Sequence, residues 1–254
     1  MKKPIIVIGI GEIGSVFARG CLRLGHPVYP VTRDMDVNSV AKEVIEPEAV
    51  ILAVGEGELH EQLAHLPEAW KDRLVLIQNE LLPNDWEKYN LKPTVISVWF
   101  EKKKGQDVKV VVPSPVHGDK AELVANALQA LEIPVEIIND SEQMLLELVR
   151  KNYYILASNI AGLKVGGTVS ELWINHQQLT EDILVDIHAI QEALTGKSFD
   201  NKIITHAMLT AFEGDPDHGC MGRSAPARLK RTLDIADDLS IEVPTLRLIS
   251  DELT

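Results

Sequence analysis

The stretch that most constrains this chain is "PIIVIGIGEIGSVFARGCLRLG" (4–25), an apolar run that breaks into glycines and resumes with a helical pattern. Residues 4–8 read as a buried strand, and 12–24 as a helix that Gly25 ends. Between them lie Gly9, Gly11 and Gly14 in a G-x-G-x-x-G string. Alone the string says little, but between a first strand and a first helix it is the turn a bound dinucleotide requires. Gly9 makes the tight turn, Gly11 lets the backbone approach a pyrophosphate, and Gly14 lets helix and strand pack closely. The helix N-terminus then offers N–H groups and positive dipole to the phosphates. With Glu12 and Ile13 inside the loop and Val54 at the end of the third strand, these are the expected cofactor-binding residues.

The following segments keep to this plan. Residues 26–32, 49–54, 73–78, 94–100, 108–113 and 134–138 read as strands, and 58–65 and 119–131 as helices. The second strand carries Pro27 and Pro30, which suit its ends better than its middle. "EKKKGQD" (101–107) reads as a solvated hairpin turn. Alternating strands and helices imply a mostly parallel sheet covered on both faces. From Asp140 the strands stop, and helices are expected near 141–163, 180–195, 200–211, 225–239 and 245–252. Two domains follow: 1–139, a Rossmann-type doubly wound α/β sheet, and 140–254, all-α. Asp140 or Ser141 is the expected N-cap of the long helix.

The nature of the cofactor turns on the end of the second strand. An NAD site usually places a carboxylate there, against the ribose hydroxyls. Here the strand end falls at Thr32, with Arg33 next, and an arginine suits the 2′-phosphate of NADP. Asp34 argues the other way: were the strand two residues longer, it would supply the carboxylate. NADP (NADPH) is expected ahead of NAD.

Lys151 stands out in "LVRKNYYILASNIAGL" (148–163), a helix with hardly any polar face. Met144, Leu148, Ile155, Asn159 and Gly162 share its side, and a second apolar stripe runs from Leu145 through Tyr153 to Leu163. Lysines are rarely buried unpaired. From position alone it is either a snorkelling side chain or a functional ammonium.

A formal net charge of −13 argues against nucleic acid or an anionic membrane as partner. The two cysteines, Cys21 and Cys220, make no disulfide framework, so a cytoplasmic location is expected. No segment approaches the length of a membrane span. The opening "MKKPIIVIGIGEIG" is too short and too broken by glycine to be a signal peptide. Asp215, Asp217, His218 and Cys220 match no established ligand spacing, so no metal is expected. His206 and His218 are candidates to line a pocket or are simply exposed, and Arg223 either meets a substrate carboxylate or lies on the surface.

Taken together, "GIGEIG", "ILAVGEGELHEQLAHLP", "LIQNELLP", "RKNYYILASNIAGL", "SELW" and "RLKRTLDIADDLSIEVPTLRLI" resemble, in order and spacing, the ketopantoate reductases. These NADPH-dependent enzymes reduce a 2-oxo acid carbonyl on the way to pantothenate. The resemblance implies a helical second domain of the 6-phosphogluconate dehydrogenase C-terminal type. It also implies catalytic roles for Lys151 at the substrate carbonyl and Asn79 near the nicotinamide, although Glu80 replaces the usual glycine. Asn159 matches a recurring asparagine.

Elsewhere the pattern is broken. Ile155 stands where a substrate-binding asparagine is expected, Val169 or its neighbours where a second is, Ala207 where a hydroxyl is, and Ser224 where a glutamate is. Asn159, Ile155, Ser224 and His206 are the expected substrate-site positions, and the 213–224 loop could close over a different ligand. The expected partner is a small carbonyl substrate, with a homodimer allowed. The alternative is a non-catalytic NADP(H)-binding redox sensor or regulator that has lost its substrate shell.

Overall fold

The computed structural model describes residues 2–253. By contact density the chain forms two compact units, Met1–Glu147 and Leu148–Thr254. The change from strands to helices falls at Ser141, and the division between units falls two turns later, inside the long helix that starts there.

The first unit contains, in order, β1 (Ile5–Ile8), α1 (Glu12–Arg23), β2 (Val28–Val31), α2 (Val37–Glu43), β3 (Ala49–Leu52), α3 (Leu59–Ala64), β4 (Leu74–Leu76), α4 (Asn84–Glu87), β5 (Thr94–Ile96), β6 (Phe100–Glu101), β7 (Lys109–Val110), β8 (Ser114–His117), α5 (Ala121–Gln129) and β9 (Val135–Ile137). Seven of these strands make one sheet in the order β2-β1-β3-β4-β5-β8-β9, parallel except where β8 runs against β5. All four residues of β1 and of β3 are buried, as strands covered on both faces must be. Ile5, Val7, Ala49, Ile51 and Val75 face α1 and α5 through Phe17, Cys21, Val124 and Leu128. Ile6, Ile8, Val50, Leu52 and Leu76 alternate to the other face and are equally buried.

Three differences from the sequence reading have physical causes. Pro30 lies inside β2, paired with Val7, because β2 is the sheet edge and needs no donor on its outer side. The run expected as one strand over 94–100 is two: β5 joins the main sheet, and Phe100–Glu101 turns away to pair with β7 as the hairpin. Residues 114–117, between the strand expected over 108–113 and the helix expected over 119–131, form β8, which Pro115 disguised in the sequence.

The second unit continues the long helix α6 (Ser141–Val165) and adds α7 (Val169–Asn175), α8 (Gln177–Thr195), α9 (Asn201–Gly214), α10 (Ala225–Asp238) and α11 (Pro244–Glu252). The head of α6 is held by Asp140, whose carboxylate accepts the Glu142 N–H at 2.9 Å. The α6 residues Tyr153, Ala157, Ile160 and Ala161 have no exposed surface. Gly162 is required here: a Cβ would lie 2.9 Å from that of Cys220. Helix α9 extends to Gly214, so the loop expected over 213–224 begins at Asp215.

Candidate active site

The chain runs from β1 out to β2, then crosses back to β3 on the other side of β1. That reversal opens a crevice at the carboxyl ends of the strands, where doubly wound sheets bind ligands. A cleft of about 540 Å³ lies there, lined by Gly9 and Gly11 after β1, Thr32 to Met35 after β2, and Ala53 to Gly55 after β3, with Glu58 and Gln62 beyond.

The three glycines do different work. Gly9 takes φ +89°, a conformation other residues resist, and a Cβ there would come within 2.7 Å of Ala53 O. On Gly14 a Cβ would meet Gly9 O at 2.1 Å, so no larger residue lets α1 start so close to β1. Gly11 differs: a Cβ there would meet nothing within 4 Å, and the space above it is open. As N-cap of α1 it offers no side chain to the first-turn N–H groups. An open backbone cradle and an uncapped helix head fit a pyrophosphate.

Of the remaining expected cofactor residues, Thr32, Arg33 and Val54 line the cleft. Ile13 packs into the sheet's core. Glu12 is exposed at the helix head, where Lys102 of the hairpin turn approaches its carboxylate at 3.5 Å. Strand β2 stops at Val31, and Asp34 sits three residues beyond it in a turn closed by Met35 N to Thr32 O at 3.1 Å. Asp34 is therefore not a strand-end carboxylate. Arg33 pairs with Glu58 at 3.2 Å.

Asn79 follows β4, where its amide donates to Glu56 Oε1 at 2.9 Å. Glu80, where a glycine was expected, still adopts the left-handed φ of +66°. Beside them the buried Gln78 donates to Leu52 O at 2.7 Å and Val54 O at 3.3 Å, tying the ends of β3 and β4 together. Sequence reasoning missed Gln78, Glu56 and Glu58. The run "GEGELHEQL" names the acids but not the loops they meet.

In the second unit Lys151 lies on α6, half-buried, with its ammonium 5.4 Å from the centre of the Tyr154 ring. Burial first, then the guanidinium groups of Arg228 and Arg150, bring its pKa down to about 7. Asn159, two turns along, accepts from Arg228 Nη1 at 3.1 Å, and both are buried. Arg150 donates to Ala207 O at 2.9 Å. Ile155 is half-buried on the same helix, and Ser224 is the half-buried residue before α10. His206 is elsewhere: exposed on α9, it lines an open groove with Trp173, Glu181 and Lys202, and none of the residues around Lys151 lines that groove. His218 stacks obliquely on Tyr154, its ring centre 6.1 Å away, and its Nδ1 lies 3.5 Å from Asp215. Arg223 is exposed.

This arrangement of a doubly wound sheet followed by a helical unit is the fold of the ketopantoate reductases. The chain is similar to the PanE/ApbA family ketopantoate reductase from Ralstonia eutropha JMP134, at 16% identity over 98% of this chain and 97% of that one, with a TM-score of 0.68. It is similar to a dimeric ketopantoate reductase from Staphylococcus aureus, at 19% identity, 98% and 97% coverage and a TM-score of 0.63. A third similar structure is D-mandelate dehydrogenase with NADH and anilino(oxo)acetate, at 14% identity, 98% and 97% coverage and a TM-score of 0.67. No family model and no curated protein matches the chain. Among the described residues no helix is long and apolar enough to cross a membrane.

Proposed function

We propose that this protein is a nicotinamide-dependent reductase of ketopantoate reductase type, acting on the carbonyl of a small 2-oxo acid or a related compound. The observation that carries this reading is the open cradle over Gly11 at the uncapped head of α1, set where the strand order reverses. Bound there, a reduced nicotinamide dinucleotide supplies a hydride. Thr32 and Arg33 would take its 2′-phosphate, which makes NADPH the proposed form.

The chain's own chemistry centres on Lys151. As a substrate carbonyl carbon accepts hydride, its π electrons move onto oxygen, and the Lys151 ammonium stabilises that charge and gives up a proton. A pKa near 7 makes the transfer easy at neutral pH, and leaves a neutral amine to be reprotonated from water. Asn79 would orient the nicotinamide or the carbonyl. Asn159, fixed by Arg228, would form part of the substrate wall. With Ile155 and Ala207 in place of polar groups, and Ser224 in place of a glutamate, the preferred substrate would lack the hydroxyl of ketopantoate. By likeness to the dimeric staphylococcal enzyme, the proposed assembly is a homodimer.

The test is Lys151→Met. NADPH affinity should stay within about twofold of the unaltered protein, while kcat for a 2-oxo acid falls by at least about 100-fold. A folded variant that keeps its turnover would remove Lys151 from the mechanism.

A further inference from the structure

We propose that Glu58 sets the cofactor preference of the cleft, by competing with the 2′-phosphate of NADPH for Arg33. This rests on the reading of the cleft as a dinucleotide site. Arg33 and Glu58 both line it, with Arg33 Nη2 3.2 Å from one carboxylate oxygen of Glu58 and 3.5 Å from the other. The pair comes from separate loops: Arg33 follows β2, and Glu58 lies in the turn that follows β3. Asp34 lines the same end. The adenosine-ribose end thus offers one cation and two acids.

Two consequences follow from charge and exposure. The Arg33 side chain is 87% exposed and that of Glu58 42%, so their attraction is heavily screened and a phosphate can displace Glu58 from Arg33. The displaced carboxylate cannot go far. Any phosphate within hydrogen-bond reach of Arg33 stays within several ångströms of Glu58, and like charges at that range repel. NADH has no phosphate there. Its ribose hydroxyls can donate to a carboxylate, so Glu58 is neutral or helpful to NADH and adverse to NADPH. Arg33 alone would make the site strongly selective for NADPH. Arg33 with Glu58 makes it a mixed site, with only a modest preference.

The experiment measures Kd for NADPH and NADH, by calorimetry at low salt, on the unaltered protein, Glu58→Gln and Arg33→Gln. Glu58→Gln should tighten NADPH by about three- to tenfold and leave NADH within about twofold. Arg33→Gln should weaken NADPH by about tenfold and leave NADH unchanged. Adding salt should shrink the Glu58→Gln effect. If both cofactors bind but Glu58→Gln moves them equally or not at all, the competition is wrong and the dinucleotide site stands. If the folded, unaltered protein binds neither, both fall. Circular dichroism checks that each variant is folded, and Arg33→Gln supplies an independent failure: unchanged NADPH binding there overturns the proposal by itself.

Discussion

Lys151 and Gly14 show how much a single residue can decide. Lys151 gives up its proton near pH 7 in the folded chain and near 10.5 when unfolded. Between those values the unfolded chain binds more protons, so this residue makes stability rise with pH, and its full cost is felt below 7. Lys151→Met should therefore raise the unfolding midpoint at pH 6 by about 2–4 °C, with a smaller gain at pH 9, read by calorimetry. The rate should show the opposite sign. The proposed carbonyl reduction would use the ammonium, so kcat should be flat at low pH and fall as pH rises through about 7. A profile with no break in that region would mean another group gives the proton. Gly14 is constrained by backbone, which cannot move aside as a side chain would. Gly14→Ala would place a methyl 2.1 Å from Gly9 O, and should cost about 1–3 kcal/mol in denaturant titration and weaken NADPH binding at least tenfold.

Among the elements, β1, α1 and the turn between them were legible in the sequence because everything that makes them is local: four apolar residues, three glycines, and an amphipathic run. The hairpin's turn was equally plain. Strand β8 was not, since its polar residues are satisfied by partners distant in sequence: Ser114 Oγ accepts from Trp99 N at 2.9 Å, and His117 Nδ1 meets Ile138 O at 2.8 Å. Helix α2 could have been found, for Asp36 caps it through Ser39 N at 3.0 Å and the aspartate is in plain view. The site divides the same way. The glycine loop is a motif, whereas the contacts of Glu56, Glu58 and Gln78 exist only because the sheet order brings the loops after β2, β3 and β4 together. Element ends also hold correctable strain. Exposed Glu132, after α5, has φ +63°, so Glu132→Gly should stabilise the fold by about 0.5–1 kcal/mol in urea titration.

For the whole molecule, two units follow one another along the chain. The parallel-sheet unit comes first, the lysine helix α6 continues from it, and the remaining helices follow. The fold is shared over nearly the full length with ketopantoate reductases and a mandelate dehydrogenase at 19% identity or less, so most of its positions accept other residues. A net charge of −13 works against a polyanionic cofactor, so in the proposed site the local donors would have to supply the affinity. The measurement that tests the account most directly is NADPH consumption by the purified protein with ketopantoate and a panel of other 2-oxo acids, repeated with Lys151→Met. Oxidation of NADPH by one or more 2-oxo acids, with those lacking the ketopantoate hydroxyl preferred and the variant silent, is the predicted result. Tight NADPH binding with no consumption across the panel would contradict it, and would leave a cofactor-binding sensor as the better description.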